Sequence, residues 1–247
     1  MNIALEYHDA VLYDSDVSLF GEGSWLNDNC INWYFRYLEH GVCHGRNDVL
    51  FMDPAVVSCM MLQCDEPEEL RELGAGLSVE SRARVFLPIN DNEAFFAGSS
   101  HWSLLMYDGK NGGLEHYDSS NCHNRAAADK VAGKFFDMLG RKGKAPPVVH
   151  VSAAPQQRNG YDCGMYTVLL ARWLAIGPAG MEPADQSQSS AAPGEQAADQ
   201  SSPASCKEAA GRMKRLFTPE FVRGQRAHVL ALVRQKMADS DVLSTSR

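Results

Sequence analysis

This 247-residue sequence lacks the features of membrane, secreted and nucleic-acid-binding proteins. No stretch approaches the roughly 20 consecutive apolar residues that span a membrane. The start MNIALEYHDAVLYDSD has no basic region followed by an apolar run, which is the pattern of a secretory leader. Asp and Glu outnumber Lys and Arg by 31 to 23, so no clustered basic surface for nucleic acid is expected. We therefore predict a soluble cytoplasmic or nuclear protein.

The cysteines follow neither a disulfide pattern nor a metal-binding pattern. The seven cysteines are irregularly spaced: Cys30, Cys43, Cys59, Cys64, Cys122, Cys163 and Cys206. Their number is odd, and without a leader they are expected to stay reduced. The Cys59-x4-Cys64 pair and two Cys-His dipeptides do not have the CxxC or HxxxH spacing of zinc modules. No glycine-rich phosphate loop is present either, and we expect no metal or organic cofactor.

What the sequence has is a mixture of helical and strand patterns, with 45% hydrophobic residues to build a core. Apolar residues recur at helical spacing after WLND (25–28), after Asp53-Pro54, and in AAADKVAGKFFDMLG (126–140). Four runs enriched in branched and aromatic residues predict strands: ARVFLPI, WSLLMY, GLEHYD and PVVHVS. We therefore predict an α+β fold with a central mixed sheet surrounded by helices.

Composition divides the chain into three parts. Residues 1–176 form the main domain, which ends with GMYTVLLARWLA, a run that is apolar almost all round and predicts a buried helix. Residues 177–206 have no aromatic residue and are rich in Ala, Ser, Gln and Pro, so we predict a disordered insertion. Residues 207–240 are expected to return to the same domain, with a final helix capped by Thr218-Pro219-Glu220.

Cys163 is the first candidate for chemistry. The stretch QQRNGYDCGMY (156–166) places it in the first turn of the predicted buried helix, where free N–H groups and the helix dipole stabilise a thiolate. A nucleophilic thiol also needs a base, a group that orients the base, and donors for the developing oxyanion.

Three other residues suit those roles. His101 begins one predicted strand and Asp118 ends the next, so a hairpin through DGKNGG would bring them together. Gln157 lies in the loop before Cys163, and its amide could donate to an oxyanion. Taken singly, each has a structural explanation: a core cysteine, a strand-edge histidine, a turn former and a solvated loop residue.

In combination the four residues form a pattern. HW at 101, DS at 118 and QxNxxDCG at 157 together resemble the ubiquitin-like-protein-specific cysteine proteases, the adenain-like sentrin/SUMO protease family. The chain order His, Asp, Cys matches this family and differs from the Cys, His, Asn order of papain. The stretch WLND at 25–28 is similar to the family's N-terminal substrate-contact motif. The resemblance covers roughly residues 5 to 176 and the final helix, and it implies a papain-like/adenain-like fold.

The resemblance implies a role for each candidate. Cys163 would be the nucleophile, His101 the general base and then acid, Asp118 the group that orients the imidazole, and Gln157 an oxyanion donor. The substrate would be a ubiquitin-like modifier ending in Gly-Gly, cleaved from a lysine or from a C-terminal extension.

The resemblance also implies three substrate contacts. Trp25 and Trp102 would form a tunnel that accepts glycine only, and Asp28 would contact a basic residue of the modifier. The alternatives are that both tryptophans are core or edge aromatics and that Asp28 caps a helix.

Within the family, HWSLL, HYDS, MLGRKG and QRNGYDCGMY look most like the small deneddylase branch, which processes neddylin, the modifier of cullins. A SUMO-specific protease and a catalytically silent modifier-binding protein stay as alternatives. A third alternative is an acyltransferase with a related Cys-His-acid site. The partners implied are neddylin and its conjugates such as cullins, with SUMO as the alternative, and the expected state is a monomer.

Overall fold

The computed structural model describes residues 2–92, 100–141, 143, 145–181 and 211–245. The strands are β1 (Ile3–Tyr7), β2 (Ala10–Tyr13), β3 (Val49–Phe51), β4 (Arg84–Asn90), β5 (Trp102–Asp108), β6 (Gly113–Tyr117) and β7 (Val149–His150). The helices named here are α1 (Asp14–Leu19), α2 (Asp28–Tyr37), α3 (Pro54–Leu62), α4 (Pro67–Leu77), α5 (Arg125–Met138), α6 (Cys163–Ile176) and α7 (Pro219–Thr245), and residues 211–216 are also helical.

The larger sheet has five strands in the order β3-β4-β5-β6-β7. Its two outer pairs, β3 with β4 and β6 with β7, are parallel, and the two inner pairs are antiparallel. The sheet is therefore mixed, and the prediction of an α+β fold with a central mixed sheet is confirmed. A separate antiparallel hairpin, β1 with β2, lies in the first 13 residues of the sequence.

The two faces of this sheet bury different parts of the core, because successive side chains of a strand point to opposite faces. Leu104 and Met106 of β5 join the cluster that contains α2, α6 and α7. Leu105 and Tyr107, which alternate with them, join the cluster that contains α3, α4 and α5. The near-continuous apolar sequence of β5 follows from burial on both faces.

Three of the helix starts follow from their capping residues. The Asn27 side chain accepts from the Cys30 N–H at 3.0 Å and caps α2, so Asp28 is the first helical residue and not the cap. Asp53 caps α3 ahead of a first-turn proline. The Thr218 hydroxyl oxygen accepts from the Phe221 N–H at 3.2 Å, and α7 follows, as predicted.

The structure differs from the predicted start of the disordered insertion at residue 177. Pro178–Met181 form a 3-10 turn, and the Met181 side chain is buried in the core. Arg172 of α6 donates to the carbonyl of Gly180 at 2.9 Å, which fixes this turn against the helix before it. The main domain therefore extends past residue 176 to at least residue 181. The rest of the predicted insertion, 182–206, lies outside the described residues.

Candidate active site

Cys163 is the first residue of α6, and its side chain is buried. The turn before it is built by Asn159, whose side-chain oxygen accepts from the N–H groups of Tyr161 and Asp162 at 3.2 and 3.0 Å. The first N–H groups of a helix have no partner within the helix, so the sulfur lies at the positive end of the α6 dipole. This placement confirms the predicted position of Cys163 in the first turn of a buried helix.

His101 and Asp118 meet as the hairpin prediction requires. His101 precedes β5 and Asp118 follows β6, and the antiparallel pairing of these strands brings their ends together. The His101 Nε2 lies 2.7 Å from the Asp118 Oδ1, and the side chains are 6% and 0% exposed. The contact uses Nε2, so Nδ1 is the ring nitrogen left for another partner.

The environment of His101 favours its protonated form. Burial alone would lower the pKa of His101, but the hydrogen bond to Asp118 and the nearby Cys163 sulfur outweigh it and raise the pKa to about 9. Burial would likewise raise the pKa of Asp118, but the His101 contact and two backbone N–H donors hold that pKa below its usual value. The site therefore favours an imidazolium between a carboxylate and the sulfur, which is the arrangement of an activated thiol.

Asn124 supports the pair, and sequence reasoning missed it. Its backbone N–H donates to the Asp118 Oδ2 at 2.9 Å, and its side-chain amide donates to the carbonyl of His101 at 3.1 Å. The same amide nitrogen also lies 3.2 Å from the Ile89 carbonyl oxygen. One residue thus holds both members of the pair. In the sequence, Asn124 reads as a loop residue, and no local signal marks this role.

Asp91 is a second missed residue, and it fixes the chain at the start of β5. Its Oδ1 accepts from the N–H groups of Ser100 and His101 at 2.8 and 3.0 Å. Burial would raise the pKa of Asp91, but these bonds and one from the Ser100 hydroxyl lower it to about 2. Asp91 is therefore a charged anchor for the backbone that carries His101.

Gln157 lines a cleft of about 310 Å³ together with His101, Ser119 and Asn159. Its side-chain oxygen accepts from the Ser119 hydroxyl at 2.7 Å, and its Nε2 donates to the Asn159 carbonyl at 2.6 Å. These two bonds fix the plane of the amide and leave one of the two N–H bonds of Nε2 for another acceptor. Gln157 thus lines the same cleft as His101, and one N–H of its Nε2 has no partner among these bonds.

Trp25 and Trp102 differ in exposure but belong to one contact region. Trp102 is buried, and its Nε1 donates to the carbonyl of Leu26 at 3.0 Å. Trp25, the residue before Leu26, is 51% exposed, which is unusual for an indole. Leu26 also packs on Gly164, where an added Cβ would lie 2.9 Å from the Leu26 Cβ. The segment that carries both Trp25 and the exposed Asp28 therefore rests directly on the start of α6.

Two kinds of feature were not found within the described ranges. Residues 2–92, 100–141, 143, 145–181 and 211–245 contain no group of three or more His, Cys, Asp or Glu side chains arranged to hold a metal ion. Across the same part of the chain, the helices are too short or too polar to cross a bilayer.

A cysteine at a helix N-terminus, with a buried histidine that a carboxylate holds, is the arrangement of a nucleophilic thiol site. Residues 24–182 match the C-terminal catalytic domain of the Ulp1 protease family. The chain belongs to the Ulp1 protease family and is a cysteine protease.

Relatives and solved structures agree with this membership. Sentrin-specific protease 8 of Homo sapiens is 40% identical over 168 residues, which cover 67% of this chain and 78% of that protein. NEDD8-specific protease 1 of Arabidopsis thaliana is 28% identical over 242 residues, covering 96% and 94% of the two chains. The structure of the yeast Ulp1 protease domain in complex with Smt3 has a TM-score of 0.59 at 17% identity and covers 95% of this chain and 88% of that one, which shows the shared fold.

Proposed function

We propose that this protease cleaves the bond after the C-terminal Gly-Gly of neddylin (NEDD8), both in conjugates and in precursors. The observation that carries the choice of modifier is the match to a NEDD8-specific protease across 96% of the chain. Neddylated proteins such as cullins would then be the partners, and the chain would act as a monomer.

In the proposed reaction, the Cys163 thiolate attacks the carbonyl carbon of the terminal glycine. The resulting oxyanion accepts hydrogen bonds from the Cys163 backbone N–H and from the Gln157 amide. His101, held by Asp118, gives its proton to the leaving amine, and a thioester to Cys163 remains. His101 then takes a proton from water, which attacks the thioester and releases the free carboxyl terminus.

The two tryptophans and Asp28 supply the proposed specificity. Trp102 donates to the carbonyl of Leu26, Trp25 precedes Leu26 in the chain, and Leu26 packs on Gly164 at the start of α6. A narrow passage there would admit glycine and exclude any residue with a side chain. Asp28, exposed on the first turn of α2, would contact a basic residue of the modifier.

The decisive experiment compares release of a fluorescent C-terminal amide from neddylin, SUMO and ubiquitin by the wild type and by Cys163→Ala. We expect release from neddylin by the wild type only, with neddylin binding retained by the variant. Release from SUMO or ubiquitin instead would keep the mechanism and replace the modifier.

Two further outcomes would contradict the proposal. Binding of neddylin without release would indicate a catalytically silent modifier-binding protein. Transfer of an acyl group from a thioester donor, without hydrolysis of any modifier amide, would indicate an acyltransferase.

A further inference from the structure

Arg226 is a buried arginine on α7, outside the segment that matches the family's catalytic domain. Its Nε and Nη2 both contact the Asp162 Oδ1, at 3.0 and 2.9 Å. Its Nη1 donates to the carbonyl groups of Leu19 and Gly21, at 2.9 and 3.0 Å, and Nη2 reaches the carbonyl of Tyr161 at 3.3 Å. One guanidinium therefore joins α7 to two other parts of the chain.

The first of these parts is the residue immediately before the nucleophile. Asp162 occupies the N-cap position of α6, yet its side chain makes no capping bond. It is buried, and its two oxygens face Arg226 and the Asn159 amide, the latter at 2.8 Å. An unpaired buried carboxylate at this point would repel the neighbouring thiolate, and Arg226 supplies the compensating charge.

The second part is the segment that leads to the substrate-contact residues. The Leu19 and Gly21 carbonyls mark the end of α1, and the chain continues from there to Trp25 and Leu26. Leu26 in turn rests on Gly164, the second residue of α6. Arg226 thus fixes the nucleophile and the Trp25 segment to each other through a rigid planar fork, which a lysine cannot reproduce.

We propose that Arg226 is a positioning residue that holds the start of α6 and the segment from Leu19 to Leu26 in the geometry needed for cleavage. The proposal rests on the proposed function only where cleavage of neddylin serves as the assay.

The test compares Arg226→Gln and Arg226→Lys with a control on the same helix. Arg223 has the same residue type, and its Nε pairs with Glu22 at 3.2 Å next to the same segment, but both side chains are more than 60% exposed. We expect Arg226→Gln to lower kcat/KM for neddylin amide about 10- to 100-fold, because small misplacements of reacting groups have effects of this size. Arg226→Lys should recover only part of the loss, and Arg223→Gln should change kcat/KM less than twofold.

A second readout needs no modifier. The rate of Cys163 alkylation by iodoacetamide should fall at neutral pH in Arg226→Gln. The curve of alkylation rate against pH should move to higher pH. In Asp162→Asn/Arg226→Gln, which has no unpaired charge, the alkylation profile should return to that of the wild type. The loss in kcat/KM should persist there, because Leu19 and Gly21 remain released.

Wild-type alkylation and kcat/KM in Arg226→Gln would overturn the proposal, as would an equal loss in Arg223→Gln. If Arg226→Gln does not fold, the double variant decides, and full wild-type kcat/KM in it would contradict a positioning role. If the wild type does not cleave neddylin, the proposed function fails, while the alkylation profiles still decide the role of Arg226.

Discussion

The proton on His101 is held to higher pH than on an ordinary histidine, and this has consequences for activity and for stability. Protonated His101 contributes stability that is fully present below its unfolded pKa of 6.5 and is lost as pH rises through about 9. The same proton is the one that the leaving amine requires. Activity and part of the stability should therefore decline over the same alkaline range.

We expect kcat/KM of the wild type to fall as pH rises through about 9, where His101 loses its proton. In Asp118→Asn the fall should move to lower pH, because the carboxylate that favours imidazolium is gone. A pH profile of neddylin amide release for both proteins measures this. Identical alkaline limits in the two profiles would show that His101 is not the acid.

Substitution of Gln157 tests its proposed role as an oxyanion donor. We expect Gln157→Ala to lower kcat about 10²- to 10³-fold with little change in KM, because an oxyanion donor acts mainly in the transition state. Arg158→Ala is the control, since this neighbouring side chain is exposed. Steady-state kinetics on one substrate separate kcat from KM. A rise in KM alone would make Gln157 a binding residue.

Among the elements, α6 and the β5–β6 hairpin could be predicted because their signals are local. The apolar run after Cys163 and the DGKNGG turn each determine a structure within a few residues. Hairpin β1–β2 was not predicted. Strand β3 was also not predicted, because it is three residues long and acquires its strand identity by pairing with β4. Asn124 and Asp91 were missed for a similar reason: their roles depend on partners that only the folded chain brings near.

The contact between Gly164 of α6 and Leu26 predicts the effect of a larger side chain at the start of this helix. Gly164→Ala places a Cβ 2.9 Å from the Leu26 Cβ, so one of the two must move. We expect a loss of about 1–3 kcal/mol in unfolding free energy and weaker neddylin binding. Gly133→Ala is the control, because nothing lies within 4 Å of a Cβ at that position of α5. That variant should be stabilised by about 0.5–1 kcal/mol. Urea unfolding of both variants compares them, and equal effects would exclude the steric explanation.

For the whole molecule, the burial of Met181 limits how much of the predicted insertion we expect to be removable. We expect deletion of residues 183–204 to leave kcat/KM and stability nearly unchanged, because the entropy of closing a loop depends only weakly on its length. Deletion of residues 178–204 also removes the buried Met181, and we expect a loss of about 2–5 kcal/mol. Urea unfolding and turnover of both deletions measure this. A large loss of turnover in the shorter deletion would show that the segment contributes to the site.

The position of Arg226 after Asp162 in the sequence also determines when these contacts can form during synthesis. Arg226 follows Asp162 by 64 residues. At about 5–20 residues per second, a ribosome adds Arg226 roughly 3 to 13 seconds after Asp162. Until then the Asp162 carboxylate has no guanidinium partner, and the Leu19 and Gly21 carbonyls have no common donor. Each newly made molecule therefore has its thiol before it has Arg226, and a nascent chain that stops short of α7 lacks the guanidinium contacts to Asp162, Leu19 and Gly21.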